Sequence, residues 1–350
     1  MATQLAPQPI TARPPRLHRV SCAAPGLSRR RRGRGFEYRG AGGDLVTDPQ
    51  ILQRIRDLAI PPAWRDVWIC PDPRGHLQAV GTDAKGRRQY LYHPVWRAHR
   101  ERVKHARVQR AARRLPAARR VVNEHLAGRG LTRERVLACS FRLLDLGFFR
   151  VGGEEYAEEN GSFGLSTLLR EHVTVHADRQ LTFAYAAKSG VERRVVIADA
   201  ATHQVVAALA RPRRPAEQLF GYREGRRWRD LTAADVNEYV HARLGDATAK
   251  DFRTWHGTVL GAACLARRWL EADAAGRTPM SERARRRAVT EAMREVSGYL
   301  GNTPAVCRAS YVDPRVVDLF HEGRTIERAL RRPDPARASL ERATLGLLAS

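Results

Sequence analysis

The sequence predicts an α+β protein, with a small β-rich N-terminal module and a larger, mostly α-helical domain. Its 350 residues, 43% of them hydrophobic, are enough for two ordinary domains with real cores. From Phe36 to about Arg100, short apolar runs alternate with turn-forming pieces, which is typical of antiparallel strands. After Pro94 the apolar residues recur at helical spacing, so the chain changes from strands to helices near residue 100.

The first 35 residues predict a disordered basic arm. They contain five prolines and then the run Arg29–Arg32, a composition typical of flexible segments that follow phosphates or merely aid solubility. We therefore place the first folded module at residues 36–100. Within it we expect short strands such as VWIC (67–70) and a helix over ILQRIRDLAI that ends before Pro61.

Residues 101–340 predict the larger domain. The basic amphipathic stretch 95–114 is expected to form a helix that Pro116 separates from the next one. One β segment, 173–199, alternates apolar and polar residues and contains the turn residues Lys188-Ser189-Gly190. We expect a hairpin or a three-stranded meander there, with Lys188 at a tip. Further helices are expected at 133–149, 233–245, 258–273 and 281–301.

Strong positive charge is the first functional clue. Lys and Arg total 62 against 37 Asp and Glu, and the net charge of +25 attracts a polyanion such as nucleic acid. An anionic membrane is the second candidate partner, and a basic protein with neither partner remains an alternative. Only four of the basic residues are lysines. Each lysine is of interest, because a lysine can release a proton when its surroundings lower its pKa, whereas an arginine cannot.

Features that the sequence lacks exclude several classes of protein. There is no run of 18 apolar residues that could span a membrane, and we expect no secretory signal at the N-terminus. The five cysteines form no CxxC pair, which fits a reducing cytosol. Because GxxxxGK[ST] loops, HExxH and Cys/His clusters at metal spacing are absent, we expect neither a cofactor nor a bound metal.

An ordered series of five segments identifies a family. They are GRRQYLYHPVWR (86–97), FFRVGGEEYAEENGSFGLSTL (148–168), FAYAAKSG (183–190), AKDFRTWHGT (249–258) and LGNTPAVCRASYVDP (300–314). Together they resemble the type IB DNA topoisomerases, specifically the compact, poxvirus-like bacterial branch. The matching regions run from about residue 50 to about residue 320. The resemblance implies the catalytic fold that these enzymes share with tyrosine recombinases, including its β-hairpin.

The resemblance implies a set of catalytic residues. Tyr311 matches the nucleophile, and Arg150 and Arg253 match residues that bind the non-bridging oxygens of the scissile phosphate. Lys188 resembles the general acid of the family. Asn302 stands where the poxvirus enzymes carry a histidine; bacterial relatives often have asparagine there, and a role in proton transfer does not carry over to it.

The resemblance also implies residues that contact DNA. Gln89, Tyr90 and Tyr92 match the DNA-contacting stretch of the N-terminal module, and Tyr156 matches a further position. For Tyr90 and Tyr92, packing across strands remains an equal alternative. Lys250 is a candidate phosphate contact, or else a solvated charge at a helix start.

The chemistry of these residue types agrees with the resemblance. A tyrosine that attacks a phosphodiester forms a phosphotyrosine of similar energy, so the break can be resealed without ATP. Two guanidiniums offer fixed donors to the charge that develops on the phosphate oxygens. The leaving 5′ oxygen needs a proton, and a lysine can supply it when burial and neighbouring cations lower its pKa.

The predicted function is the relaxation of supercoiled duplex DNA. One strand is cut through a 3′-phosphotyrosyl link, the DNA rotates, and the strand is resealed without ATP or an obligatory metal. The resemblance implies a monomer whose two domains close as a clamp around the duplex, in the bacterial cytoplasm and on the nucleoid.

The sequence leaves two other functions open. A tyrosine recombinase shares the same nucleophile, arginines and lysine, but usually has H-x-x-R where this chain reads KDFR (250–253). A non-catalytic, architectural DNA-binding protein would explain the charge equally well. It would not explain the ordered Arg, Lys, Arg, Asn and Tyr series.

Overall fold

The chain divides into two units. The computed structural model describes residues 16–147, 149–153, 161–211, 217–331 and 334–350. The division falls between Lys104 and His105, close to the predicted boundary after residue 100. The larger unit continues past its predicted end at residue 340, because the last helix, Arg337–Ala349, buries Thr344 and Leu348.

The N-terminal unit is a five-stranded antiparallel sheet with one helix, and the strand order is β2-β1-β3-β4-β5. The helix begins after Asp48, whose carboxylate accepts hydrogen bonds from the backbone N–H groups of Gln50 and Ile51. Its Ile55 packs with Val67 and Ile69 in the core, and its position confirms the predicted helix before Pro61. The elements are β1 (Leu27–Arg32), β2 (Gly35–Arg39), α1 (Pro49–Asp57), β3 (Arg65–Ile69), β4 (Leu77–Thr82) and β5 (Arg88–Tyr92).

The prediction of a disordered arm over residues 1–35 is wrong for its last part. The basic run Arg29–Arg32 forms most of β1, which pairs with both β2 and β3. Leu27 is buried in the core, and the Arg29 guanidinium donates to three backbone carbonyls within residues 60–64, at 2.7 to 3.2 Å. Tertiary contacts therefore order a strand that its composition alone would not predict. Residues 1–15 of the predicted arm lie outside the described residues.

One long helix, α2 (Pro94–Ala127), runs from the first unit into the second. The prediction that Pro116 separates two helices is wrong. A proline inside a helix costs roughly 3 kcal/mol, since it removes one hydrogen bond and crowds the preceding turn. Leu115, Ala118 and Val122 lie on both sides of it and are buried in the core of the larger unit, which offsets that cost.

The larger unit packs its helices around α6. From Ala249 to Ala266 nearly every residue of α6 is buried, and it contacts α3, α5, α7, α9, α10 and α11. A helix surrounded in this way gives rigid support to any side chain that it carries. The helices are α3 (Arg133–Gly147), α4 (Ala200–Ala210), α5 (Ala233–Leu244), α6 (Ala249–Ala274), α7 (Glu282–Leu300), α8 (Pro304–Ser310), α9 (Pro314–His321), α10 (Glu327–Leu330) and α11 (Arg337–Ala349).

The β segment of the larger unit is a three-stranded antiparallel meander, as predicted. Its strands are β6 (Val173–Val175), β7 (Gln180–Ala187) and β8 (Val191–Ala198). A 3₁₀ turn at Lys188–Gly190 joins β7 to β8, so Lys188 lies at the tip. A second hairpin, β9 (Gly221–Glu224) with β10 (Arg227–Asp230), was not predicted. Within the described residues, no helix is long and apolar enough to cross a membrane.

Candidate active site

An open cleft of about 1110 Å³ in the larger unit brings the predicted catalytic residues together. Arg150, Lys188, Arg253, Asn302 and Tyr311 all line it, although they lie on five different segments of the chain. Lys250, the candidate phosphate contact at the start of α6, also faces this cleft.

Tyr311 directly follows the short helix α8. The side chain of Thr303 accepts a hydrogen bond from the backbone N–H of Val306, and Pro304 occupies the first helical position. Only 9% of Tyr311 is exposed, and its ring centroid lies 5.1 Å from the Cζ atom of Arg253. The hydroxyl is therefore in a partly dry, positively charged position.

The backbone at Tyr311 is fixed against α6. The Oγ1 atom of Thr258 lies 3.2 Å from the carbonyl oxygen of Tyr311 and accepts a hydrogen bond from the backbone N–H of Asp313 at 3.1 Å. A Cβ atom at Gly257 would lie 3.1 Å from that carbonyl oxygen, tighter than most contacts of its kind. Glycine and threonine at these positions let the turn that carries Tyr311 pack directly onto the central helix.

The charges around Tyr311 favour its ionised form. Burial alone would raise its pKa, but Arg253, Arg150 and Lys250 together hold the pKa of Tyr311 below its ordinary value. A tyrosine with a lowered pKa is converted more easily into a phenolate, the form that attacks phosphorus.

Arg253 is held between Tyr311 and the end of α7. It is 3% exposed, and its Nη2 donates to the carbonyl oxygen of Leu300 at 2.6 Å. Burial, and then the charge of Arg150, lower the pKa of Arg253, yet a guanidinium remains protonated at neutral pH. A desolvated, permanent cation is thereby placed beside the tyrosine.

Arg150 is held by a close approach of two backbone segments. Its carbonyl accepts a hydrogen bond from the N–H of Leu165 at 2.8 Å, and the next carbonyl, of Val151, accepts one from Ser166 at 2.7 Å. A Cβ atom at Gly164 would lie 2.4 Å from the backbone nitrogen of Gly152. Gly152 and Gly164 of the 148–168 motif therefore permit this contact.

The amide of Asn302 is held by Arg150 through its oxygen. Its Oδ1 accepts a hydrogen bond from Nη2 of Arg150 at 2.7 Å, and this contact fixes the amide orientation because a guanidinium only donates. The Nδ2 group is buried and has no hydrogen-bond partner among the residues that the structure describes. Leaving a buried donor unpaired costs about 1–3 kcal/mol, which a bound acceptor would recover.

Positive charge dominates the cleft walls. Among its described lining residues, the only carboxylate is Glu192. Sequence reasoning missed Arg193 and Arg294, because nothing nearby distinguishes them from the other arginines of so basic a chain. The lining cations are Arg150, Lys188, Arg193, Lys250, Arg253 and Arg294.

A buried ion network supports α6 one turn beyond Arg253. Arg119 donates to both carboxylate oxygens of Asp145, at 2.8 and 2.9 Å, and Arg337 donates to one of them at 2.7 Å. His256 Nε2 lies 3.6 Å from the same carboxylate. Burial alone would raise the pKa of Asp145, but His256, Arg119 and Arg337 hold it well below its usual range. The network thus connects α2, α3, α6 and α11.

The predicted DNA contacts of the N-terminal unit lie on β5. Tyr90 and Tyr92 are exposed and stack with ring centroids 6.2 Å apart. Gln89 does not share their face, since successive strand residues alternate, and its amide donates to Asp83 at 2.9 Å. Tyr156 lies outside the described residues.

Comparison with known proteins identifies the family. The chain matches the model of the eukaryotic DNA topoisomerase I catalytic core over residues 93–329, and that of the bacterial DNA topoisomerase IB N-terminal domain over residues 35–83. It is 27% identical over 301 residues to DNA topoisomerase 1B of Acanthamoeba polyphaga mimivirus, covering 84% of this chain and 87% of the relative. It is 21% identical over 299 residues to DNA topoisomerase I of Monkeypox virus and to DNA topoisomerase 1B of Vaccinia virus (strain Copenhagen), covering 80% of this chain and 88% of each relative.

The fold, the cleft and these matches together define a DNA topoisomerase, an enzyme that changes the linking of DNA strands. The chain belongs to the type IB DNA topoisomerase family, and its N-terminal unit is of the bacterial type. The matches favour neither the recombinase nor the architectural DNA-binding alternative.

Proposed function

We propose that this chain relaxes supercoiled duplex DNA with Tyr311 as its nucleophile. The phenolate oxygen of Tyr311 bonds to phosphorus, the bond from phosphorus to the 5′ oxygen breaks, and the cut strand remains attached through its 3′ phosphate. The free 5′-hydroxyl end then rotates and attacks the phosphotyrosine to reseal the strand. The observation that carries this proposal is the cleft, which places Tyr311 beside Arg253 and together with Arg150, Lys188 and Asn302.

We propose that Arg150 and Arg253 bind the non-bridging oxygens of the scissile phosphate. Both line the cleft, and both lower the pKa of Tyr311 through their charge. Fixed donors aimed at developing charge are each worth on the order of 100- to 1000-fold in rate. Because other groups already hold these guanidiniums in place, little reorganisation is needed when the phosphate arrives.

Asn302 acts as a hydrogen-bond donor and not in proton transfer. An amide does not titrate near neutrality, and its Oδ1 is already occupied by Arg150. The Nδ2 group, which has no partner among the described residues, is the part of the side chain that remains for a phosphate oxygen.

Lys188 protonates the leaving 5′ oxygen, and the neutral lysine accepts a proton from the 5′-hydroxyl when the strand is resealed. Its place at the tip of the meander, on the cleft wall, supports this role. Lys250, on the same cleft, is proposed to bind an adjacent phosphate. The resemblance supports DNA contacts for Gln89, Tyr90, Tyr92 and Tyr156. It also supports a monomer that clamps duplex DNA in the bacterial cytoplasm, on the nucleoid.

Relaxation of supercoiled plasmid is expected to proceed in EDTA without ATP. The proposed chemistry stores the energy of the broken bond in the phosphotyrosine, and arginines rather than a metal meet the phosphate charge. Purified protein is incubated with plasmid, and topoisomers are separated on an agarose gel. Tyr311→Phe, purified in the same way, guards against a contaminating host enzyme and should be inactive. Strict dependence on magnesium or ATP would contradict the proposal.

Binding to duplex DNA is expected to weaken steeply with salt. If about six to eight phosphates are neutralised, log K should fall with log[salt] at a slope of about −5 to −7. Lys250→Ala should reduce the slope by about one. Arg286→Ala removes an exposed charge on α7 that is paired with Glu282, outside the cleft lining, and should leave the slope unchanged. A slope near zero would argue against binding through phosphate contacts.

A further inference from the structure

Arg193 links the hairpin that carries Lys188 to the end of α7. It lies on β8 directly opposite Tyr185 of β7, within the strand pair whose tip holds Lys188. Its Nη2 donates to the carbonyl oxygen of Tyr299 at 2.9 Å, and its Nη1 lies 3.5 Å from that of Gly298. Both carbonyls belong to the last turn of α7.

The last carbonyls of a helix have no partner within the helix, and they form the negative end of its dipole. In α7 the carbonyl of Tyr299 accepts from Arg193, and the carbonyl of Leu300 accepts from Arg253. Two arginines from different elements therefore hold the same helix end. Asn302 follows this helix end after Gly301, and its own amide is held by Arg150.

The turn between α7 and Asn302 is shaped to receive Arg193. Gly301 adopts the left-handed conformation, with φ of 59°. A Cβ atom there would lie 2.7 Å from Nη1 of Arg193 and 3.0 Å from its Cδ. A side chain at this position would displace the arginine, so the close fit needs glycine both for the backbone and for the space.

Arg193 and its neighbour Arg194 lie on opposite faces of β8. Arg193 is half-buried, whereas Arg194 is exposed on the other face of β8, as strand alternation requires. Burial raises the pKa of Tyr185, and the charge of Arg193 opposes that effect. Arg193 therefore faces the inner side of the hairpin, towards Tyr185 and α7, while its neighbour faces away.

We infer that Arg193 is a positioning residue, which docks the hairpin of Lys188 onto the turn of Asn302. The docking lets the proton donor and the phosphate-binding groups act on the same phosphodiester. The inference rests on the proposed role of Lys188 as the acid that protonates the 5′ oxygen. A displacement of about 1 Å in a catalytic group can slow a reaction about 100-fold.

The test compares two duplexes that differ by one atom. A cleavage site is mapped with the wild type, and its 5′ bridging oxygen is replaced by sulfur, which leaves as a thiolate without being protonated. Single-turnover cleavage is measured at saturating DNA. Lys188→Ala should be slowed about 100-fold on the oxygen duplex and restored by sulfur. Arg193→Ala should follow the same pattern: its cleavage of the oxygen duplex should be about 10-fold slower, and its rate should recover on the sulfur duplex.

Two further variants control for charge and for folding. Arg194→Ala removes the same charge from the opposite face of the strand and should cleave within about twofold of the wild type on both duplexes. Arg193→Lys retains one donor for the carbonyl of Tyr299 and should be intermediate on the oxygen duplex. The thermal unfolding of each variant is measured alongside, so that a folding defect is recognised.

The outcomes separate this inference from the function on which it rests. Suppose first that the sulfur duplex restores the cleavage rate of Lys188→Ala. The positioning role of Arg193 is then overturned if Arg193→Ala is slowed equally on both duplexes, or if it is not slowed on the oxygen duplex. If sulfur fails to restore Lys188→Ala, the proposed acid is wrong and the inference falls with it. If the wild type forms no covalent adduct, the proposed function itself is wrong.

Discussion

Tyr311→Phe is expected to fold, to bind duplex DNA with nearly unchanged affinity, and to relax no plasmid. Phenylalanine keeps the ring that packs 5.1 Å from the guanidinium of Arg253, but it lacks the oxygen that attacks phosphorus. Affinity should survive because phosphate contacts elsewhere supply most of it. Plasmid relaxation, covalent adducts on denaturing gels, and equilibrium binding are measured on the same preparations.

Tyr185 is a second tyrosine that Arg253 and Arg150 influence, but its pKa shifts in the opposite direction to that of Tyr311. Burial raises the pKa of Tyr185 above its ordinary value despite Arg193, Arg253 and Arg150, whereas the pKa of Tyr311 is lowered. Tyr185→Phe is therefore expected to retain adduct formation.

Tyr239 provides a control outside the cleft. It is buried on α5, and its hydroxyl lies 3.0 Å from Nδ1 of His125. Tyr239→Phe should relax plasmid. Wild-type protein denatured in mid-reaction should carry DNA on Tyr311 through the 3′ end, with a free 5′-hydroxyl. An adduct on another tyrosine, or one linked to the 5′ end, would contradict the assignment.

The parts of the fold that local sequence determines were predictable. The meander with Lys188 at its tip follows from strand alternation and turn residues, which act over a few positions. The motifs around Arg150, Arg253 and Tyr311 could be read because each is contiguous, and the fold then gathers them in one cleft.

The parts that depend on distant contacts were not predictable. The run Arg29–Arg32 has the composition of a flexible arm, yet carbonyls some thirty residues later bind Arg29 and order β1. Pro116 is compatible with one continuous helix only because both sides pack on the same core. Arg193 has no local signal that distinguishes it; its role depends on the end of α7, more than a hundred positions away.

Arg253→Gln is expected to slow cleavage about 1000-fold, at the upper end for loss of one charged donor. The variant loses the donor to the phosphate and also the charge that contributes most to lowering the pKa of Tyr311. Tyr311 attacks as the phenolate, so the cleavage rate increases as the pH rises towards the pKa of Tyr311. A higher pKa in the variant should therefore shift this increase to higher pH. Single-turnover cleavage is measured from about pH 6 to pH 10, across the ordinary range of tyrosine titration.

Arg253→Lys separates these two effects, because it keeps a positive charge but not the planar pair of donors. It should be slow, with a pH dependence close to that of the wild type. Arg267→Gln is the matched control on the same helix: Arg267 is exposed and paired with Glu295 at 3.0 Å, and such surface pairs contribute about 0–1 kcal/mol. Its cleavage rate and pH dependence should be those of the wild type. An unshifted pH dependence in Arg253→Gln would mean that Arg253 acts on the phosphate alone, and that Tyr311 is made acidic by other groups.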